Sequence, residues 1–278
     1  MKNIVFMHRF PWLASYRYRS EMPAAELRRR GYTASVMEGE ADVLVLSKPC
    51  EKDLELARQA TLAGASIVAD ICDDHFERHP ELYKETCALA DKIVVGSDVM
   101  AGRVREYVNR DSVVIGDPYE MEECAPHAEG EDFVWFGHQR NLAELAGVAN
   151  HLEGYKLRVV TGPKVPPQCI AWSVETLKQV LAVSNVVALP TKPGNEYKSP
   201  NRLVNAIRAG CFAVCMSHPA YEEFKRFVWV GNFPTGLRWL KNHQHMVNDL
   251  VAQAQEFVRE RYSPETIGGQ WAQLFDSI

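Results

Sequence analysis

Between Asn195 and Val214 the chain reads NEYKSPNRLVNAIRAGCFAV, and this stretch concentrates groups suited to holding an anion. Glu196 and Lys198 lie in a loop, and Arg202 falls in the first turn of a predicted helix. A helix N-terminus offers unpaired N–H groups and the positive end of its dipole, so cations beside it favour phosphate. Ser199 can accept from one of those amides, and Pro200 suits the first helical position, where its missing N–H costs nothing. Leu203, Val204 and Ile207 recur at helical spacing, Gly210 is a stop, and 211–216 (CFAVCM) reads as a buried parallel strand. A charged first turn on a solvated helix is the structural alternative for Lys198 and Arg202.

A second cluster, Asp70-Ile71-Cys72-Asp73-Asp74-His75, ends a predicted strand. Strand ends are where parallel sheets place chemistry. Asp73, Asp74 or His75 could orient or deprotonate a hydroxyl, since a general base needs only hydrogen-bond reach. Asp73 or Asp74 could equally cap the following helix. Cys72, His75 and His79 also give C-x2-H-x3-H, a zinc-like spacing. The H-E-x-x-H order is missing and no paired cysteine motif lies nearby, so no metal is expected. His8 and Arg9 close the first predicted strand and are candidate acceptor-side groups.

These groups need a frame, and the first half supplies alternating strands and helices. Strands are expected at 3–7, 33–37, 42–46, 66–71, 92–96 and 112–115, with helices at 15–30, 51–63, 80–89 and 100–108. Residues 116–132 lack periodicity, are acid-rich and carry Pro118 and Pro126, which reads as a linker. Alternation restarts with strands at 133–136, 157–161, 169–172, 185–189 and 228–230, and helices at 141–151 and 174–183. The tail from 237 is mostly helical with a break at Ser263-Pro264. This is the pattern of an α/β protein with parallel, doubly wound sheets. Two domains are expected, 1–118 and 119–278.

Composition fits a globular chain. Of 278 residues, 46% are hydrophobic and 24% charged. A net charge of −5 argues against a dedicated nucleic-acid binder. Seven cysteines without repeated spacing suggest reduced thiols and a cytoplasmic setting. No apolar run approaches the ~20 residues a spanning helix needs, so any membrane contact would be peripheral.

The stretch 195–214 resembles the donor-binding motif of the retaining branch of the two-domain GT-B glycosyltransferases, the group 1 or family 4-like enzymes. Those typically read E-x7-E-A-x-x-x-G-x-P-V. Asn205-Ala206-Ile207-Arg208-Ala209-Gly210 followed by Cys211-Phe212-Ala213-Val214 matches in spacing. It departs where Asn205 replaces the second glutamate, the usual ribose ligand, and where Tyr197 holds the slot of the first, with Glu196 one residue early.

The resemblance implies two Rossmann-like domains facing a cleft, with a final helix, about 264–278, packing back on the first domain. It implies transfer of a sugar from a nucleotide-diphosphate-sugar to a hydroxyl acceptor, with retention, in glycan biosynthesis. The acceptor would be a saccharide, lipid-linked or small molecule, and neither a metal nor a nucleic acid would be needed. FVWFGHQRN at 133–141 resembles the first strand and loop of the donor domain, with Gly137 and Arg140 reaching the diphosphate. Trp172 stands where relatives hold the nucleobase, and packing in the core is its alternative. Asn205 would meet the ribose. Arg17 and Arg19 resemble an S-x-R-x-R helix start whose arginines face the acceptor. Arg28-Arg29-Arg30, at a helix C-terminus, and His218-Pro219 read as structural. A nucleotide-sugar-binding module, or an epimerase or phosphorylase on the same scaffold, is the alternative reading.

Overall fold

The structure is a computed structural model that describes residues 2–162, 167–192 and 194–278. The chain forms two compact units: Met1–Pro118 with Tyr197–Ser199 and Tyr262–Ile278, and Tyr119–Glu196 with Pro200–Arg261.

The first unit is built on β1 (Asn3–Met7), β2 (Thr33–Val36), β3 (Val43–Ser47), β4 (Ser66–Ile71), β5 (Lys92–Val95) and β6 (Val113–Val114). All pair in parallel, in the order β2-β1-β3-β4-β5-β6. Runs such as VLVLS in β3 are apolar on both faces because helices cover both. The chain steps outward from β1 to β2, then returns to place β3 on the other side of β1. Loops diverge at such a reversal and leave room for a ligand at the carboxyl ends of the strands. Met7 pairs with Leu46 and Ser47 with Asp70, which brings the ends of β1, β3 and β4 level.

The helical stretch 14–29 runs through a π-helical turn at Arg17–Glu21. Helix Pro264–Asp276 packs against its last segment, Met22–Arg29. A Cβ on Gly268 would overlap the Glu26 side chain, so only glycine permits that approach. Trp271 is fully buried there, edge-on to Phe6. Ser263 starts this helix by accepting from the Thr266 amide at 3.0 Å, with Pro264 in its first turn.

The second unit repeats the design with β7 (Asp132–Phe136), β8 (Lys156–Thr161), β9 (Ile170–Ala171), β10 (Val186–Leu189), β11 (Phe212–Met216) and β12 (Trp229–Gly231). The order is β12-β11-β10-β7-β8-β9, again all parallel, and its reversal lies between β7 and β10. The helix expected at 141–151 is broken into helix Leu142–Ala146 between short 3-10 turns. The stretch after Pro118 carries no helix or strand before β7 but is laced down. The His127 amide donates to Gly210 O at 3.0 Å, and Asn185 Nδ2 donates to His127 O at 2.7 Å. No helix among the described residues is long and apolar enough to cross a membrane.

Candidate functional site

In the second unit the reversal between β7 and β10 gathers an anion-binding constellation. Gly137 follows β7 directly, and its amide donates to Val160 O at 3.1 Å. A Cβ at Gly137 would press on the Trp135 ring at 3.1 Å and lie in ordinary contact with Arg202 Nη1 at 3.4 Å, so the guanidinium packs directly beside this residue. Arg202 sits in the first turn of helix Asn201–Arg208, to which no side chain supplies an N-terminal cap. Its Nη2 donates to Glu144 Oε2 at 3.5 Å, and it offsets part of the burial that raises the nearby Tyr221 phenol to about 12. Nη1 is buried and has no hydrogen-bond partner. A buried guanidinium N–H without a partner is costly, and an incoming oxyanion would satisfy it.

Glu144 itself is buried and accepts from Asn195 Nδ2. Backbone N–H donors at Gly194 and Glu196 hold the Glu196 carboxyl below its ordinary range, so it is ionised at neutral pH. Lys198 is half-buried in the following loop, and Arg140 is exposed in the turn Gln139–Asn141. Trp172 is half-buried after β9, with its amide donating to Thr161 O at 2.6 Å.

Two expectations in this unit's motif are corrected. Asn205 is buried and holds the chain, not a ribose: its Oδ1 accepts from the Glu120 and Met121 amides at 2.9 and 3.0 Å, and its Nδ2 donates to Asn201 O at 2.8 Å. Ser199 does not cap the helix, which begins after Pro200; its hydroxyl donates to Asp117 Oδ2 at 2.5 Å, within the first unit.

In the first unit the level ends of β1, β3 and β4 assemble a charged cluster around Lys48, a residue the sequence reading did not single out. Lys48 Nζ lies 2.5 Å from Asp73 Oδ2, and both side chains remain partly exposed. The Lys48 backbone is left-handed, with φ of 49°, a conformation that costs a side-chain-bearing residue energy and gathers at functional sites. Burial opposes the ammonium charge, but the carboxylates of Asp73 and Asp117 outweigh it and hold Lys48 above its ordinary range. His8 is buried beside it, and burial, then Lys48, lower its pKa to about 4. The Phe10 amide donates to His8 Nδ1 at 3.3 Å, which assigns the proton to Nε2, 3.0 Å from Ser15 Oγ.

Other residues of this unit fall into structural roles. Arg19 is fully buried rather than acceptor-facing. Its Nη2 lies 2.5 Å from Asp70 Oδ1, and its Nη1 donates to Ile115 O at 2.6 Å and Gly116 O at 3.0 Å. A buried arginine must find such partners, and Asp70 at the end of β4 supplies the counter-charge. Asp74 accepts from the Phe76 amide at 3.1 Å and from Arg103 Nε at 2.8 Å, so it fixes the turn after β4. Arg9 reaches Asp53 at 2.5 Å, beside the start of helix Glu51–Leu62. Arg17 is half-buried over the Tyr18 ring. His75 lies edge-on to Tyr83 and His79, and burial lowers its pKa. Cys72, His75 and His79 do not assemble a metal site, nor does any group of three His, Cys, Asp or Glu among the described residues. All seven cysteines are free, and burial pushes the Cys72 thiol up.

No family model matches the chain, and no curated protein matches it in sequence. Solved structures do match it in fold. TarM from S. aureus, solved with fondaparinux, alpha-GlcNAc-glycerol and UDP, superposes with a TM-score of 0.65 at 12% identity over 84% of this chain, which spans 55% of TarM. An alpha-glucosyltransferase in complex with UDP-glucose and DNA gives 0.65 at 10% identity, covering 99% of both chains. The UDP-GlcNAc 2-epimerase from Neisseria meningitidis, bound to UDP-GlcNAc, gives 0.60 at 7% identity, again over 99% of both. With its two six-stranded parallel sheets and interleaved helices, the chain therefore has a GT-B glycosyltransferase-like fold.

Proposed function

We propose that this chain is a glycosyltransferase that moves a sugar from a nucleotide-diphosphate-sugar to a hydroxyl acceptor, with retention of configuration. The observation that carries the reading is Arg202: a guanidinium whose buried Nη1 has no partner, held beside Gly137 at the reversal of the second sheet. In this reading Arg202 and the amides opening helix Asn201–Arg208 stabilise charge on the departing diphosphate. Preorganised donors of this kind need no protein nucleophile and no metal. Leaving-group oxygens can then take the acceptor proton. Glu196, kept ionised, accepts from a sugar hydroxyl, and Arg140 and Trp172 border the nucleotide. The Lys48–Asp73 pair of the first unit, with His8 and His75 nearby in sequence or space, serves the acceptor hydroxyl.

The acceptor class is a saccharide, lipid-linked or small molecule, at a cytoplasmic site of glycan biosynthesis. The net charge of −5 speaks against a nucleic-acid acceptor, although one glucosyltransferase of this fold was solved with DNA. A second reading, a nucleotide-sugar 2-epimerase, is favoured by epimerases of the same fold at a TM-score of 0.60.

Thermal unfolding with UDP, GDP, ADP, CMP and dTDP and their sugars, with and without magnesium, tests the donor site. At ~100 times its dissociation constant a ligand adds about 2.7 kcal/mol. A shift confined to one nucleotide family and indifferent to magnesium is expected; no shift with any of them would count against the donor site. Incubation of the bound nucleotide sugar with saccharide acceptors and with duplex DNA then separates transfer from epimerisation. An isomerised sugar without a glycosylated product would replace the transferase reading with the epimerase one.

A further inference from the structure

The partnerless Arg202 Nη1 is aimed by a chain of buried contacts that begins two elements away. His218 accepts from the Ala220 amide through Nδ1 at 3.1 Å, so Nε2 carries the proton and donates to Asn195 O at 2.8 Å. That bond fixes the backbone of residue 195, whose side-chain Nδ2 donates to Glu144 Oε1. The second carboxylate oxygen, Oε2, takes Arg202 Nη2. A guanidinium is a rigid planar fork, so fixing Nη2 fixes where Nη1 points. It points to Gly137, where a Cβ would be in contact with it. The Glu144 side chain is wholly buried and that of Arg202 only 17% exposed. Burying a carboxylate costs several kcal/mol, and an apolar residue of similar volume would serve packing as well. Packing therefore does not account for Glu144.

We propose that Glu144, braced by Asn195 and His218, is a positioning residue that presents Arg202 Nη1 to the diphosphate of the donor, an inference that rests on the donor-site reading above. Glu144 touches no phosphate. It holds the cation in one orientation before the anion arrives, so that binding does not have to order it.

Calorimetry with UDP, inorganic pyrophosphate and uridine on the full chain tests this. Glu144→Gln should weaken UDP and pyrophosphate about tenfold or more, as expected when a charge-assisted contact is misdirected, and leave uridine unchanged. In an Arg202→Ala background the same substitution should change UDP affinity by less than about twofold, because the two act as one unit. Equal losses for uridine and UDP, or losses that multiply in the double variant, would overturn the positioning role. So would UDP affinity at the wild-type level in Glu144→Gln. Should Glu144→Gln not fold, Asn195→Ala carries the same expectations. Wild-type protein that binds pyrophosphate but not UDP sinks the nucleotide-donor reading alone, whereas binding neither sinks both.

Discussion

Lys48 and Asp73 meet at 2.5 Å across the carboxyl ends of the adjacent strands β3 and β4, and Lys48 adopts a left-handed backbone to do so. A left-handed conformation costs a residue with a Cβ about 1–2 kcal/mol. Glycine carries no such cost. Lys48→Gly should therefore unfold at or above the wild-type temperature while sugar transfer falls sharply. The paired measurements are thermal unfolding and turnover; full turnover in this variant would remove Lys48 from the acceptor site.

Gly137 directly follows β7 in the second unit. Alanine there would press its Cβ to 3.1 Å from the Trp135 ring and 3.4 Å from Arg202 Nη1. Overpacking of this kind costs about 1–3 kcal/mol. Gly137→Ala should remain folded but lose UDP affinity, since the Trp135 ring, the tighter neighbour, must shift and disturb the packing around Arg202. Calorimetry that found UDP binding intact would mean that the close approach has no bearing on the anion.

For Arg202→Ala, UDP affinity should fall by about 1.5–3 kcal/mol, the range for hydrogen bonds to charged groups. Uridine, which lacks the phosphates, should bind as before. Unchanged UDP affinity would dismiss Arg202 as a diphosphate ligand.

Asn205 tests the departure from the family motif. Its side chain is bonded to the Glu120 and Met121 amides and to Asn201 O. Stranding a buried donor costs about 1–3 kcal/mol, so Asn205→Ala should lower stability by that order while folded protein keeps its nucleotide affinity. A selective loss of nucleosides with stability intact would restore a ribose role.

The alternation of apolar strands with amphipathic helices was readable because the central strands are buried on both faces, and β3 and β4 announce that in VLVLS and SIVADI. The place of Arg202 in a first helical turn was readable too, since that is a local pattern. Lys48 was not. In the sequence it stands in Leu-Ser-Lys-Pro-Cys, with Glu51 as its nearest acid, and only the pairing of β3 with β4 brings Asp73 to it. Arg19 failed in the opposite direction. The resemblance to an S-x-R-x-R helix start implied an acceptor-facing pair, but Arg19, in the π-helical turn Arg17–Glu21, goes to Asp70, a partner 51 residues away. Asn205 matched a ligand position in spacing, and its side chain went to a segment 84 residues earlier. Local motifs specify where a helix begins; which side chains face a ligand is decided by strand order.

His8 makes the first unit sensitive to acid. Burial and the nearby Lys48 lower its pKa from 6.5 to about 4, so the folded protein binds this proton less readily than the unfolded chain. The neutral ring contributes its full stability above pH 6.5, and that contribution is lost as pH falls towards 4. Each pKa unit is worth about 1.4 kcal/mol, which puts the loss at up to ~3 kcal/mol. His8→Gln keeps a side-chain donor that can reach Ser15 and removes the titration. Urea unfolding at a series of pH values between 7 and 4 should therefore give a shallower decline for His8→Gln than for wild type. Parallel curves would show that another group titrates in that window and that His8 is not the ring the acid reaches.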